Sequence, residues 1–140
     1  MNFGLLGFSA AIAFAAMGSA LGSGAAGQAA VGAWKKCFAQ NKPAPMLLVV
    51  FVALPLTQII YGMILMNAIR GVADPSIAHL GIGLFGGIAM GMSALFQGKT
   101  AAGACDAFAD TGKGFVNYIL ACGMIETVAL FVMVFLLGTV

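Results

Sequence analysis

Four stretches of this chain run for the length of a membrane span with almost no formal charge. No charged residue lies before Lys35, between Lys42 and Arg70, or between Asp74 and Lys99. After Lys113 there is a single one, Glu126. Crossing the hydrocarbon core takes about 20 helical residues. A backbone in that medium must satisfy its own hydrogen bonds, which leaves helices or closed barrels. Overall 62% of residues are hydrophobic and 7% charged, against about 25% charged in a soluble domain. Too few charges remain to cover a water-facing surface, so the chain is an integral membrane protein. It carries no basic cluster for nucleic acid.

Three polar interruptions, "WKKCFAQNKPAP" (34–45), "RGVADPSIAH" (70–79) and "DAFADTGKG" (106–114), divide the apolar sequence. Spans are expected at 4–33, 46–70, 77–105 and 114–138, with short connections that make sequential helices antiparallel. Pro43, Pro45 and Asp74-Pro75 prepare helix starts. Residues 1–30 lack the basic start of a signal peptide, and their apolar stretch outruns the usual ~7–15 residues. A retained first helix is expected. Cys37, Cys105 and Cys122 show no metal-ligand spacing and read as small packing residues.

The two halves are copies. "GSAL" (18–21) answers "MSAL" (92–95), "AAG" (25–27) answers "AAG" (101–103), and Leu56-Thr57 answers Glu126-Thr127. Self-similarity at a nearly constant offset marks an internal duplication, here of hairpins 1–72 and 73–140. The expected fold is therefore an all-α integral membrane protein: four transmembrane helices as two duplicated antiparallel hairpins. Helices 1 and 3 are rich in glycine, with Gly18 and Gly22, like Gly83 and Gly87, spaced to let backbones approach closely. Helices 2 and 4 carry bulkier side chains. An inner layer of helices 1 and 3 inside an outer layer of 2 and 4 follows, with a ring of many copies closing the glycine-rich face. Lys35, Lys36, Lys42, Lys99 and Lys113 put the 1–2 and 3–4 loops in the cytoplasm and both termini outside.

An ionisable group in mid-membrane is expensive and is by default a functional site. Glu126 is such a group. Counting outward from the turns near residues 41 and 110 places Thr57, Gln58 and Glu126 at one depth, with Gln97 about 5 Å nearer the turn. Pro55 removes a donor inside helix 2 and frees backbone oxygen beside this layer. One carboxylate, a hydroxyl, two amide oxygens and backbone oxygen suit a monovalent cation. They also suit a protonated carboxyl group, since burial disfavours the charged form. A divalent ion would favour a second carboxylate. Tyr61 is a packing residue or a donor to Glu126. Gln28, His79, Asp106 and Asp110 lie nearer the helix ends and are expected to stand outside the site. "GKT" (98–100) lacks the lead-in glycine and strand of a phosphate loop, and nothing in the sequence points to an enzyme.

The motif Leu54-Pro55-x-Thr57-Gln58-x-x-Tyr61, Gln97-Gly98-Lys99 and Glu126-Thr127 resembles the membrane rotor proteolipid (c or K subunit) of V-type (A/V-type) ATPases. The likeness covers essentially the whole chain and is greatest to the bacterial sodium-translocating branch. It implies a cell-membrane subunit that assembles as a ring of identical copies. Sodium would be held by Glu126, Gln97, Gln58, Thr57 and the backbone oxygen of Leu54, with Tyr61 locking the carboxylate and Pro55 shaping the helix. It further implies a stator subunit with an arginine facing Glu126, a central-stalk subunit at the cytoplasmic loops, surrounding lipid, and ATP hydrolysis in a separate soluble head. Leu56 in place of a first-hairpin carboxylate implies one ion per four helices. Leu56 also stands where the family often has a small residue. The alternatives are the same rotor working with protons, a small multidrug-type transporter, and a structural pore of the same shape.

Overall fold

A computed structural model describes residues 3–140; the first two residues of the expected first hairpin lie outside this range. Four long helices cross the molecule, Phe3–Ala39, Leu48–Arg70, Ile77–Thr111 and Phe115–Leu137, each long and apolar enough to span a membrane. This is a multi-pass, all-helical membrane protein, and no strand occurs among the described residues.

The first and third helices run further than the apolar pattern indicates, to Ala39 and Thr111 rather than to 33 and 105. Charged residues mark where a helix leaves hydrocarbon, but they do not break it. What ends these helices is backbone geometry. Asn41 takes φ 51° beyond the first helix, and Gly112 and Gly114 take φ 64° and 82° beyond the third. Left-handed backbone of this kind favours glycine or asparagine. At 1.5 Å per residue, a 35-residue helix is ~52 Å long and outreaches the ~30 Å hydrocarbon core. The extra turns carry Lys36 and Asp110, which form an ion pair at 2.6 Å with both side chains 47% exposed. At the other end, Ser76 caps the third helix in a box with His79, whose Nδ1 accepts the Ser76 N–H at 3.0 Å.

The first and third helices are in direct backbone contact. A Cβ on Gly18 would run into the Gly91 backbone, one on Gly83 into Gly7, and one on Gly98 into Gly22. These six glycines thus line the seam between the two hairpins. Gly24, Gly32, Gly81 and Gly103 differ: a Cβ there meets nothing within 4 Å. The second and fourth helices pack outside this seam. Near the hairpin turns, Phe51 gathers Phe108, Phe115 and Tyr118 at centroid distances of 5.3–6.3 Å. Trp34 Nε1 donates to Pro45 O at 2.9 Å and ties the first helix to its loop. All three cysteines are buried and free, as packing residues are. Between the aromatic layer and the opposite end, the second, third and fourth helices enclose the polar residues.

Candidate ion site

The second helix is interrupted where the sequence places proline. Leu48–Ala53 is α-helical, Leu54–Leu56 is a 3₁₀ turn, and Thr57–Arg70 resumes the α-helix. Pro55 has no N–H to give to the turn before it. The tighter turn brings the Thr57 N–H to Leu54 O, and Thr57 Oγ1 lies 3.1 Å from the same carbonyl. Leu54 O, Thr57 Oγ1 and the following glutamine are thereby bunched at one level.

From there a continuous hydrogen-bond chain crosses three helices. Thr57 Oγ1 is 3.2 Å from Gln58 Oε1, and Gln58 Nε2 donates to Gln97 Oε1 at 2.8 Å. Gln97 Nε2 donates to Glu126 Oε2 at 3.1 Å and to Cys122 O at 3.2 Å. Tyr61 O–H donates to Glu126 Oε1 at 2.9 Å. Gln58 and Gln97 are fully buried. Glu126 is half-buried and is the middle residue of Phe115–Leu137, with eleven residues on either side. Hydrogen bonds to a carboxylate are roughly twice as strong as neutral ones, and each Glu126 oxygen receives one.

The residues singled out in the sequence therefore converge: Leu54, Thr57, Gln58 and Tyr61 from the second helix, Gln97 from the third and Glu126 from the fourth. The counted 5 Å offset of Gln97 does not keep it from the carboxylate. The third helix turns at Gly112 rather than near 110, and the long glutamine side chain closes the rest. Thr127 stands apart, exposed, with its hydroxyl returned to Met124 O at 2.7 Å. Gln28 is exposed on the first helix, and the exposed Lys36–Asp110 pair belongs to the helix ends.

One residue escaped the sequence reading. Ser93 Oγ donates to Ile125 O at 2.9 Å, next to Glu126. The available signal was its position four before Gln97, on the same helical face.

The oxygens of Leu54, Thr57, Gln58, Gln97 and Glu126 form one linked set that holds a single carboxyl group. Hard neutral oxygens with one carboxylate fit a monovalent cation. Among the described residues there is no cluster of three or more His, Cys, Asp or Glu of the kind that holds a divalent metal.

The second hairpin matches the ATP synthase C-subunit family. The match covers residues 80–137, which include Gln97 and Glu126 but not the second helix. Members of that family are non-catalytic membrane components of rotary ATPases. No curated protein matches the chain.

Proposed function

We propose that this chain is the rotor-ring subunit of a V-type ATPase and carries sodium across the membrane at Glu126. The observation that supports this reading is the carboxylate at the middle of a span. It accepts hydrogen bonds from Tyr61 and Gln97 and connects through Gln97 and Gln58 to Thr57 and Leu54 O. A site that only buried a neutral acid would not need two fully buried glutamines and a proline-shaped carbonyl beside it. Sodium is the cargo in this reading. Leu54 O, Thr57 Oγ1, Gln58 Oε1, Gln97 Oε1 and Glu126 would supply its oxygens, and Tyr61 would hold the remaining carboxylate oxygen.

The cycle follows from charge. Bound cation and Glu126 carboxylate sum to zero, so the loaded site can face lipid without the cost of an exposed charge. An empty, ionised site needs a compensating cation, which a stator arginine opposite Glu126 would provide while favouring release. Two offset half-channels would then give each loaded site one route in and another out. Hydrolysis of ATP in a separate head turns the ring, and this chain contributes the switchable carrier. The open glycines Gly24, Gly32, Gly81 and Gly103 suit close packing of identical copies into that ring. In the bacterial cell membrane the lysine-bearing loops would face the cytoplasm and the central stalk, with both termini outside.

The test is ATP-driven uptake of radiolabelled sodium into vesicles containing the assembled complex. Uptake that resists a protonophore and disappears in Glu126→Gln is expected. ATP-driven proton uptake that ignores sodium would replace this reading with the proton rotor.

A further inference from the structure

Two side chains on one face of the third helix hold the backbone of the fourth at the carboxylate. Ser93 Oγ donates to Ile125 O at 2.9 Å, and Gln97 Nε2 donates to Cys122 O at 3.2 Å. Both acceptors bear on one peptide unit. Ile125 C=O and Glu126 N–H belong to the same plane, and in a regular helix the Glu126 N–H bonds to Cys122 O, four residues back. The unit from which the Glu126 side chain springs is thus fixed at its carbonyl end by Ser93 and at its N–H end through the carbonyl that Gln97 holds. Gln97 also touches the carboxylate itself; Ser93 reaches it only through the backbone.

The duplication supplies the internal comparison. Ser19 answers Ser93, and the same offset makes Ser23 answer Gln97; in the outer helices Leu56 answers Glu126. Ser19 is fully buried, yet its hydroxyl has no hydrogen-bond partner, and neither has that of Ser23. The two orphaned hydroxyls are the first-hairpin counterparts of the two residues that hold the fourth helix. A serine kept only for helix packing should behave alike in both hairpins. This one makes its interhelical bond in the hairpin that has the carboxylate and makes none in the hairpin that has leucine.

We propose that Ser93 is a positioning residue of the ion site: its bond to Ile125 O sets the rotation and depth at which Glu126 meets the other oxygens. Selectivity among cations depends on how closely ligand oxygens approach, so the fixed peptide unit governs discrimination as well as affinity. This rests on the sodium reading above, and the test separates the two.

The experiment is carbodiimide labelling of the residue-126 carboxyl in intact rings at fixed pH, with graded sodium or lithium, in wild type, Ser93→Ala and Ser19→Ala. Both substitutions delete a buried hydroxyl from the same repeat position. Ser93→Ala is expected to raise the sodium concentration for half-protection roughly fivefold, the factor for one modest hydrogen bond, and to change the sodium-to-lithium ratio. Ser19→Ala should stay within about twofold of wild type on the same scale. Equal behaviour of the two variants, whether both shift or neither does, overturns the proposal. If Ser93→Ala yields no ring, Ser93→Cys takes its place with the same two readings, since it keeps the volume with a much weaker donor. A wild-type ring that sodium does not protect defeats the sodium reading instead. Ser93 is then judged by labelling rate at fixed pH: a difference from wild type confined to Ser93→Ala supports its role, and none refutes it.

Discussion

Gln97 and Glu126, on neighbouring helices and 29 positions apart, meet through an amide nitrogen 3.1 Å from a carboxylate oxygen. The same amide group accepts from Gln58 and donates to the Cys122 carbonyl, so one buried side chain links three helices. Replacing it should disturb both halves of the layer. In Gln97→Leu, the Gln58 amide loses its acceptor and the carboxylate loses a donor. Leaving a buried polar group unsatisfied costs ~1–3 kcal/mol. We expect lower thermal stability of the detergent-solubilised ring by scanning calorimetry, together with a loss of sodium protection of more than about tenfold.

Tyr61→Phe removes only the second donor. The ring of the side chain remains to pack, while Glu126 Oε1 loses its 2.9 Å partner. A hydrogen bond to a charged group contributes ~1.5–3 kcal/mol, so sodium affinity should fall by about tenfold or more. The melting temperature of the ring should move little by comparison. Sodium titration followed by labelling of Glu126 measures the first, and circular dichroism on heating measures the second.

The seam between hairpins makes a separate prediction. A methyl group on Gly18 collides with backbone at Gly91, which cannot turn aside as a side chain can. Overpacking of this kind typically costs ~1–3 kcal/mol, and a backbone neighbour puts Gly18→Ala at the upper end. Its yield of folded protein in detergent should drop, judged by size-exclusion profile and helical signal. Gly112→Ala, by contrast, meets open space but must hold φ 64°, so it should cost only about 1 kcal/mol.

Asp110 is a carboxylate with a cation beside it, and its position argues against any part in transport. It is 47% exposed, as is Lys36, and lies one residue before the end of the third helix. Exposed pairs contribute little. Asp110→Asn should leave sodium protection of Glu126 and ATP-driven uptake unchanged within error, while Glu126→Gln abolishes uptake and leaves no carboxyl at position 126 to label.

Much of this was legible in the sequence because the membrane restricts the options. Long apolar runs with at most one charge gave the four spans, and the repeat of GSAL in MSAL gave the two hairpins. Glu126 stood out because a carboxylate in mid-span has no ordinary packing role. Less legible was where the helices stop: Lys35, Lys36 and Asp106 end the apolar pattern, whereas Asn41 and Gly112 end the helices. Which glycines meet each other was also hidden, since Gly22 and Gly24 look alike until the third helix lies against one of them. Ser93 escaped notice because a serine within a helix commonly bonds to its own backbone. Its link to Ile125 becomes visible only when the third and fourth helices are side by side.

The most direct test of the account is whether sodium occupies the layer around Glu126. Purified wild-type rings would be treated with a carboxyl-reactive carbodiimide at one fixed pH, without salt, with sodium and with potassium, and the labelled residue identified by mass spectrometry. Glu126 should be labelled without salt or with potassium and protected by sodium. Labelling that follows pH alone and ignores sodium would contradict it, leaving the carboxylate to protons and the amides of Gln58 and Gln97 to helix packing.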